Sequence, residues 1–284
     1  MERNRRSHRV EWMAKVLGVS RSGYYAWRRP PACERARDEQ QLVREITAIQ
    51  EQVKYRYGSP RVREGLKRRG FGVGKNRVAR LMREYRLGRR LKKRYRSTTD
   101  SKHGHAVAEN LVQREFDVAA ANRIWASDLS YVATAEGWMY VCVVLDLYSR
   151  KIIGWAMGNR MRANLMIQAL LMACVHRNPP AGLIFHSDRG SQYCSAAFRT
   201  YLRLYRIRQS MSRAGDPWDN APVESFFKTL KSELCGDRAF GDRAEARRKI
   251  FEYLEVFYNR KRFHSTLGNQ TPEEYEKSFG RTAA

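Results

Sequence analysis

Cysteine is scarce and scattered in this chain. The five cysteines (Cys33, Cys142, Cys174, Cys194, Cys235) are odd in number and form no Cys-x-x-Cys pair. That excludes a disulfide framework and a cysteine zinc site, and fits a reducing compartment. Long apolar runs are missing as well. The most apolar stretches, Met139 to Leu147 and Leu165 to Val175, fall far short of the ~20 residues that a membrane-spanning helix needs. The Arg-rich start has no apolar segment behind it, so no secretory signal is visible. Acidic residues are few: 29 Asp plus Glu against 55 Lys plus Arg, with a pI near 10.3. The deficit is uneven, since residues 1–100 hold 29 basic and 10 acidic side chains. An excess concentrated at one end points to a polyanion partner, most simply nucleic acid.

What is present is a core-forming 43% apolar content in 284 residues, enough for one larger domain and one or two small modules. Apolar residues at helical spacing (Val10, Met13, Ala14, Leu17), then Gly18-Val19-Ser20, then Tyr24, Tyr25 and Trp27 read as a helix-turn-helix over residues 1–35. Residues 36–87 read as a second helical module. Leu42, Ile46 and Ile49 share one helix face, Ser59 caps the next helix with Pro60 behind it, and Gly70 to Gly74 separates that helix from Lys75 to Arg86. On these helices Lys75, Arg77, Arg80, Arg83, Arg61 and Arg63 are expected to meet DNA phosphates. Residues 88–109 form a basic linker with Lys92 and Lys93, while His103 and His105 lack the neighbours a metal site requires. The core is expected over residues 110–240. Three strands precede alternating helix and strand, which makes a mixed sheet with helices packed against it. Residues 241–284 are expected to form a C-terminal helix and basic tail, with Arg260, Arg262 and His264 near its end.

Three carboxylates stand out. Asp128 lies in a strand-like run, Trp125 to Val132. Asp188 ends the apolar run Gly182-Leu183-Ile184-Phe185 at His186-Ser187-Asp188-Arg189-Gly190. Glu224 lies in the first turn of a helix that Asp219 or Asn220 can cap, with Pro222 inside the start. Such oxygen-only sets suit Mg²⁺, a hard cation. Other acids read as structural: Asp146 as a turn residue and Asp219 as a helix cap. Lys228 and Lys231 follow Glu224 on the same helix face, and Arg189 and His186 flank Asp188. The Gly215 to Asp219 loop, with Trp218, is a candidate flap.

Asp, Asp, then Glu after 35 intervening residues, with Lys231 seven beyond, resembles the catalytic core of insertion-sequence transposases of the OrfB type, relatives of retroviral integrases. The runs His186 to Tyr193 and Tyr258 to Ser265 are similar to that family's motifs too. The resemblance covers nearly the whole chain. It implies a ribonuclease-H-like, five-stranded mixed sheet with flanking helices, preceded by all-α helix-turn-helix modules. It also implies a metal-dependent transposase with Asp128, Asp188 and Glu224 as catalytic metal ligands. Asp128 would bridge two Mg²⁺ ions, for which Mn²⁺ would substitute, with Asp188 on one and Glu224 on the other. The implied partners are double-stranded DNA, further copies of the chain, and an upstream reading-frame product or a frameshift fusion with it. The implied location is the bacterial cytoplasm, at the nucleoid. The family's zinc-binding integrase relatives carry a His/Cys module that this chain lacks. The rival is a DNA-binding regulator with an inactive core; an RNA-cutting nuclease of the same fold leaves the helix-turn-helix units unexplained.

Overall fold

The computed structural model describes residues 1–28, 34–88, 107–235 and 239–280. The chain folds as two compact units, Met1–Gly88 and Arg89–Ala284. Lys92, Lys93, His103 and His105 lie outside the described residues.

In the first unit, α1 (Val10–Val16) and α2 (Arg21–Arg28) flank a turn in which Gly18 has a positive φ. Ser20 Oγ accepts from Gly23 N at 2.9 Å, which caps α2. The next helices are α3 (Glu34–Gln52), α4 (Ser59–Arg68) and α5 (Lys75–Glu84). They bury Leu42, Ile46, Ile49, Val62, Leu66, Val78 and Leu81 against one another. Gln50 is buried with them, and its Nε2 donates to the carbonyls of Tyr57 at 2.9 Å and Leu87 at 2.7 Å. These bonds tie the ends of the module together and satisfy carbonyls that would otherwise be buried without a partner. Ser59 does not cap α4: Gly58 holds that position in extended conformation, and no side chain supplies the bond.

The second unit is built on a five-stranded sheet in the order β3-β2-β1-β4-β5. β1 (Ile124–Thr134), β2 (Gly137–Asp146) and β3 (Ile152–Gly158) are antiparallel neighbours. β4 (Ile184–Ser187) and β5 (Arg208–Met211) continue the sheet in parallel on the other side of β1. β2 is an almost unbroken buried apolar run because both its faces are covered. α6 (Ala163–Arg177) and α7 (Ala196–Leu204) cover the face that holds Trp125, Cys142 and Val144. Gly154 allows the close approach of α6: a Cβ there would stand 2.2 Å from the carbonyl oxygen of Ala169.

Since side chains alternate along a strand, Ala126 and Asp128 share the opposite face with Val143 and Trp155. That face is covered by α8 (Ala221–Leu230), by α9 (Arg243–Phe251) with its π-helical continuation Glu252–Tyr258, and by α10 (Pro272–Gly280) beyond them. Trp155 packs edge-on to Phe251 and donates from Nε1 to Glu255 at 2.7 Å. The C-terminal segment is therefore built into this unit. Asn259 alone makes two bonds of 2.9 Å to the backbone of Ile152.

Asp146 is a turn residue, as its position suggests. Its carboxylate is fully buried and accepts from the backbone N–H groups of Asn122 and Tyr148. Burial outweighs those bonds and pushes its pKa up to about 6. In the unfolded chain the value is about 3.9, so the folded state holds the proton more tightly. This contribution to stability is full below pH ~4 and is lost as pH rises through about 6. The Asp146→Asn variant is expected to lose that dependence, by about 2–3 kcal/mol across the window. Denaturant melts of both proteins between those pH values measure it.

Candidate active site

The parallel register of β1 and β4 pairs Ala126 with His186, and carrying it two residues on brings Asp128 beside Asp188. Asp188 is the first residue past the end of β4, where the chain turns. The turn is held by Gly190 N, which donates to Asp188 Oδ1 at 3.0 Å. A Cβ at Gly190 would meet that same oxygen at 3.0 Å and Gln192 Oε1 at 3.1 Å, so a larger residue would disturb the carboxylate. Asp128 Oδ1 accepts from Leu129 N at 2.7 Å. The third acid, Glu224, sits half-buried in the first turn of α8, and α8 packs on β1. Asn220 fixes that approach: its Nδ2 donates to the carbonyl of Ser127 at 3.0 Å.

The electrostatics reflect this convergence. Burial, then the Asp188 charge, then Glu224 push the Asp128 carboxyl well above the usual carboxylate range. Glu224 is also raised, by burial first, against the pull of Lys228, whose Nζ lies 4.0 Å from its Oε2. Lys231 is half-buried with its ammonium 4.9 Å above the ring of Tyr131, and its charge opposes the rise at Asp128. Among the described residues no three His, Cys, Asp or Glu side chains are drawn into a ready-made cation cage.

Beneath Asp128, Ser127 Oγ and Tyr193 Oη lie 2.8 Å apart, and Cys142 Sγ is 3.7 Å from each, all buried. His186 is fully buried between Ser210 Oγ at 2.9 Å and Ser212 Oγ at 3.3 Å. It is a packing residue, and burial holds its pKa down at about 4. Arg189 is half-buried, with Nε donating to the carbonyl of Ser212 at 2.6 Å.

Asp219 is neither a ligand nor a cap. Its fully buried carboxylate accepts from Arg213 N at 2.8 Å, from the Arg213 guanidinium, from Arg114 Nε at 3.0 Å and from Asn110 Nδ2 at 3.0 Å. The Arg213 bonds above all hold its pKa far below the usual range. Asp216 also pairs with Arg114. The loop between them is thus pinned at two acids, while Trp218 stands 69% exposed beside the site.

Arg262 corrects the expected set of DNA contacts. It is buried and pairs with Glu233 through Nε at 3.0 Å and Nη2 at 3.1 Å, so it cannot reach a phosphate. His264 is buried against Tyr258 and Arg262. Arg80 is exposed but bound to Glu39 and Glu84, Arg61 lies over the Tyr57 ring, and Arg63 donates to the Val73 carbonyl. Arg77 is half-buried, whereas Lys75, Arg83, Lys228 and Arg260 are exposed, the last near Glu273.

A family model described as an integrase core domain matches residues 118–217, and a second of the same description matches 205–272. An HTH-like domain model matches residues 36–95. The chain is 44% identical to the insertion element IS600 31 kDa protein of Shigella sonnei, over 96% of this chain and 100% of that one. It is 38% identical to transposase InsF for insertion sequence IS3A of Escherichia coli, over 97% of this chain and 96% of that one. The chain belongs to the insertion-sequence transposases of the OrfB type. It is therefore a DNA transposase, an enzyme of the polynucleotidyl-transferase kind, with an integrase-type core on a ribonuclease-H-like fold. The transposase also has a likeness, at 14% identity and TM-score 0.48, to the simian T-cell lymphotropic virus intasome, over 81% of this chain and 74% of that one. Its integrase and HTH-like domains bring it to DNA. Among the described residues no helix is long and apolar enough to cross a membrane.

Proposed function

We propose that this transposase cuts its element's ends and joins the freed 3′-hydroxyls to new phosphodiesters at Asp128, Asp188 and Glu224. The observation that carries the reading is the convergence of these acids from β1, the β4 turn and α8, with a raised pKa at Asp128 and Glu224. The donor set is all carboxylate oxygen and accumulates negative charge, which fits Mg²⁺, or Mn²⁺ in its place. Asp128, Asp188 and Glu224 would hold these ions. When bound, such ions supply Lewis-acid stabilisation of the scissile phosphate and a more acidic attacking water or hydroxyl.

The chain's own residues orient the reaction. Leu129 N donates to Asp128 Oδ1 and Gly190 N to Asp188 Oδ1, which holds each carboxylate in place. Lys231 places an ammonium next to Asp128, where it can hold a non-bridging phosphate oxygen; Lys228 stands one turn earlier. Trp218 presents an exposed ring on which an unpaired base at the cut can stack. The first unit would read the ends through α5, with Lys75, Arg77 and Arg83 toward phosphates. Pairing two ends requires more than one copy of the chain, and an upstream reading-frame product, separate or fused, is a further partner in this reading.

Incubation with supercoiled plasmid and Mg²⁺ or Mn²⁺ is expected to give nicked and joined products, and a chelator should abolish both. Cutting without joining would replace this reading with a nuclease. DNA binding with neither activity would leave a regulator.

A further inference from the structure

From Arg189 to Gly215 the sequence has six arginines and no Asp or Glu. Four of them, Arg199, Arg203, Arg206 and Arg208, fall on α7, the turn that follows it and the start of β5. Other arginines of this unit are held within it: Arg114, Arg177, Arg213, Arg243, Arg260 and Arg262 meet carboxylates, and Arg150, Arg189 and Arg247 donate to backbone carbonyls. Among the described residues, no carboxylate lies within ion-pair distance of these four. Arg199 and Arg203 are also an i,i+4 pair of like charge, which costs a helix about 0.2–0.5 kcal/mol. Attraction to the C-terminal end of the α7 dipole accounts for Arg203 and Arg206. It does not account for Arg199, in the middle of α7, or Arg208, on the strand.

The arginines border a concavity of about 520 Å³ lined by Ala196, Arg199, Leu202, Arg203, Ile207 and Gln209. Cationic rims over an apolar floor suit a nucleic-acid backbone, where phosphates alternate with sugars. Its position suits the same partner. β5 is the edge strand, and Arg208 lies three residues before Met211, about 10 Å along the strand. The chain beyond Met211 leads directly to Ser212, whose N–H donates to Ser187 O beside Asp188. DNA held at the triad and continuing along this edge would cross the arginines.

We propose that the arginine face of α7 and β5 is a second DNA-backbone site on the core unit, engaging the duplex that flanks the strand-joining point. This rests on the transposase reading above, and it adds a binding surface that the triad and the helical modules do not provide.

The test uses the full chain and fluorescence anisotropy with a random-sequence duplex of about 30 base pairs, over salt from about 50 to 200 mM. Arg199→Glu with Arg203→Glu is expected to weaken binding about tenfold or more and flatten the log–log salt slope by about 2, near 0.9 for each phosphate no longer neutralised. Arg248→Glu with Lys277→Glu makes the same change in net charge on exposed positions of α9 and α10. That control should stay within about twofold of the wild type with its slope intact. Arg199→Gln with Arg203→Gln, a milder change at the same positions, should shift affinity in the same direction by less. Thermal melts confirm that each variant is folded. Equal losses in the α7 variant and the control would reduce the effect to net charge and overturn the proposal, as would unchanged affinity in the α7 variants. Plasmid joining by the wild type is scored in parallel. Its absence would sink the strand-transfer reading, whereas the binding comparison judges the arginine face.

Discussion

Glu224→Gln is expected to reduce plasmid joining by about 10³-fold or more while leaving duplex affinity within about twofold. The change is nearly isosteric, so α8 should keep its seat on β1 through Asn220 and the buried Val223, Phe226 and Phe227. What is removed is one negative charge and one strong cation ligand. If a held cation contributes several kcal/mol to the transition state, a loss of ~4 kcal/mol gives about three powers of ten. Asp128→Asn and Asp188→Asn should fail in the same assay. The raised pKa at Asp128 and Glu224 adds a direction. Both variants relieve mutual repulsion in the metal-free protein, so each should melt no lower, and Asp128→Asn higher, than the wild type without Mg²⁺. Mg²⁺ should then raise the melting temperature of the wild type more than that of any variant. Full joining by Glu224→Gln would move the chemistry elsewhere on the chain.

Much of this geometry was legible because it is local. The strand that delivers Asp188 announces itself by apolar residues followed by a Gly turn, and the helix carrying Glu224 by Pro222 inside its start. β1 and β2 follow from two apolar runs joined by a two-residue connection, since Thr134 pairs with Gly137. The misread residues are those whose role depends on distant partners. Asp219 has the local signature of a cap, yet it meets Arg114 across 105 residues, and no periodicity reports that pairing. Asn220 sits at the cap position and instead directs its amide to Ser127, 93 residues away. Arg262 lies in a basic run that reads as a phosphate contact until Glu233 is found folded onto it. The π-helical turns at Lys231–Cys235 and Glu252–Tyr258 had no signal at all. They arise where packing of the C-terminal layer, not local preference, sets the winding.

That buried pair should have the second large effect. Arg262→Met is expected to destabilise the core unit by about 3–5 kcal/mol, because it strands the Glu233 carboxylate in a nearly dry site. Side-chain exposure is 6% for Arg262 and 1% for Glu233, so water cannot replace the missing guanidinium. Tyr253 Oη donates to Glu233 at 2.8 Å, and a neutral donor does not cancel the charge. Adding Glu233→Gln to Arg262→Met should recover a large part of the loss, since the charge left behind is the main cost. Denaturant unfolding of the two single variants and the double variant closes this cycle. The pair also bears on the site, because Glu233 lies in the π turn that Lys231 opens. Releasing Glu233 frees that turn, and Lys231 loses its fixed place over Tyr131. Arg262→Met should therefore lower joining beyond what its folded fraction explains at a temperature well below its midpoint, whereas a purely global defect would leave the activity per folded molecule unchanged.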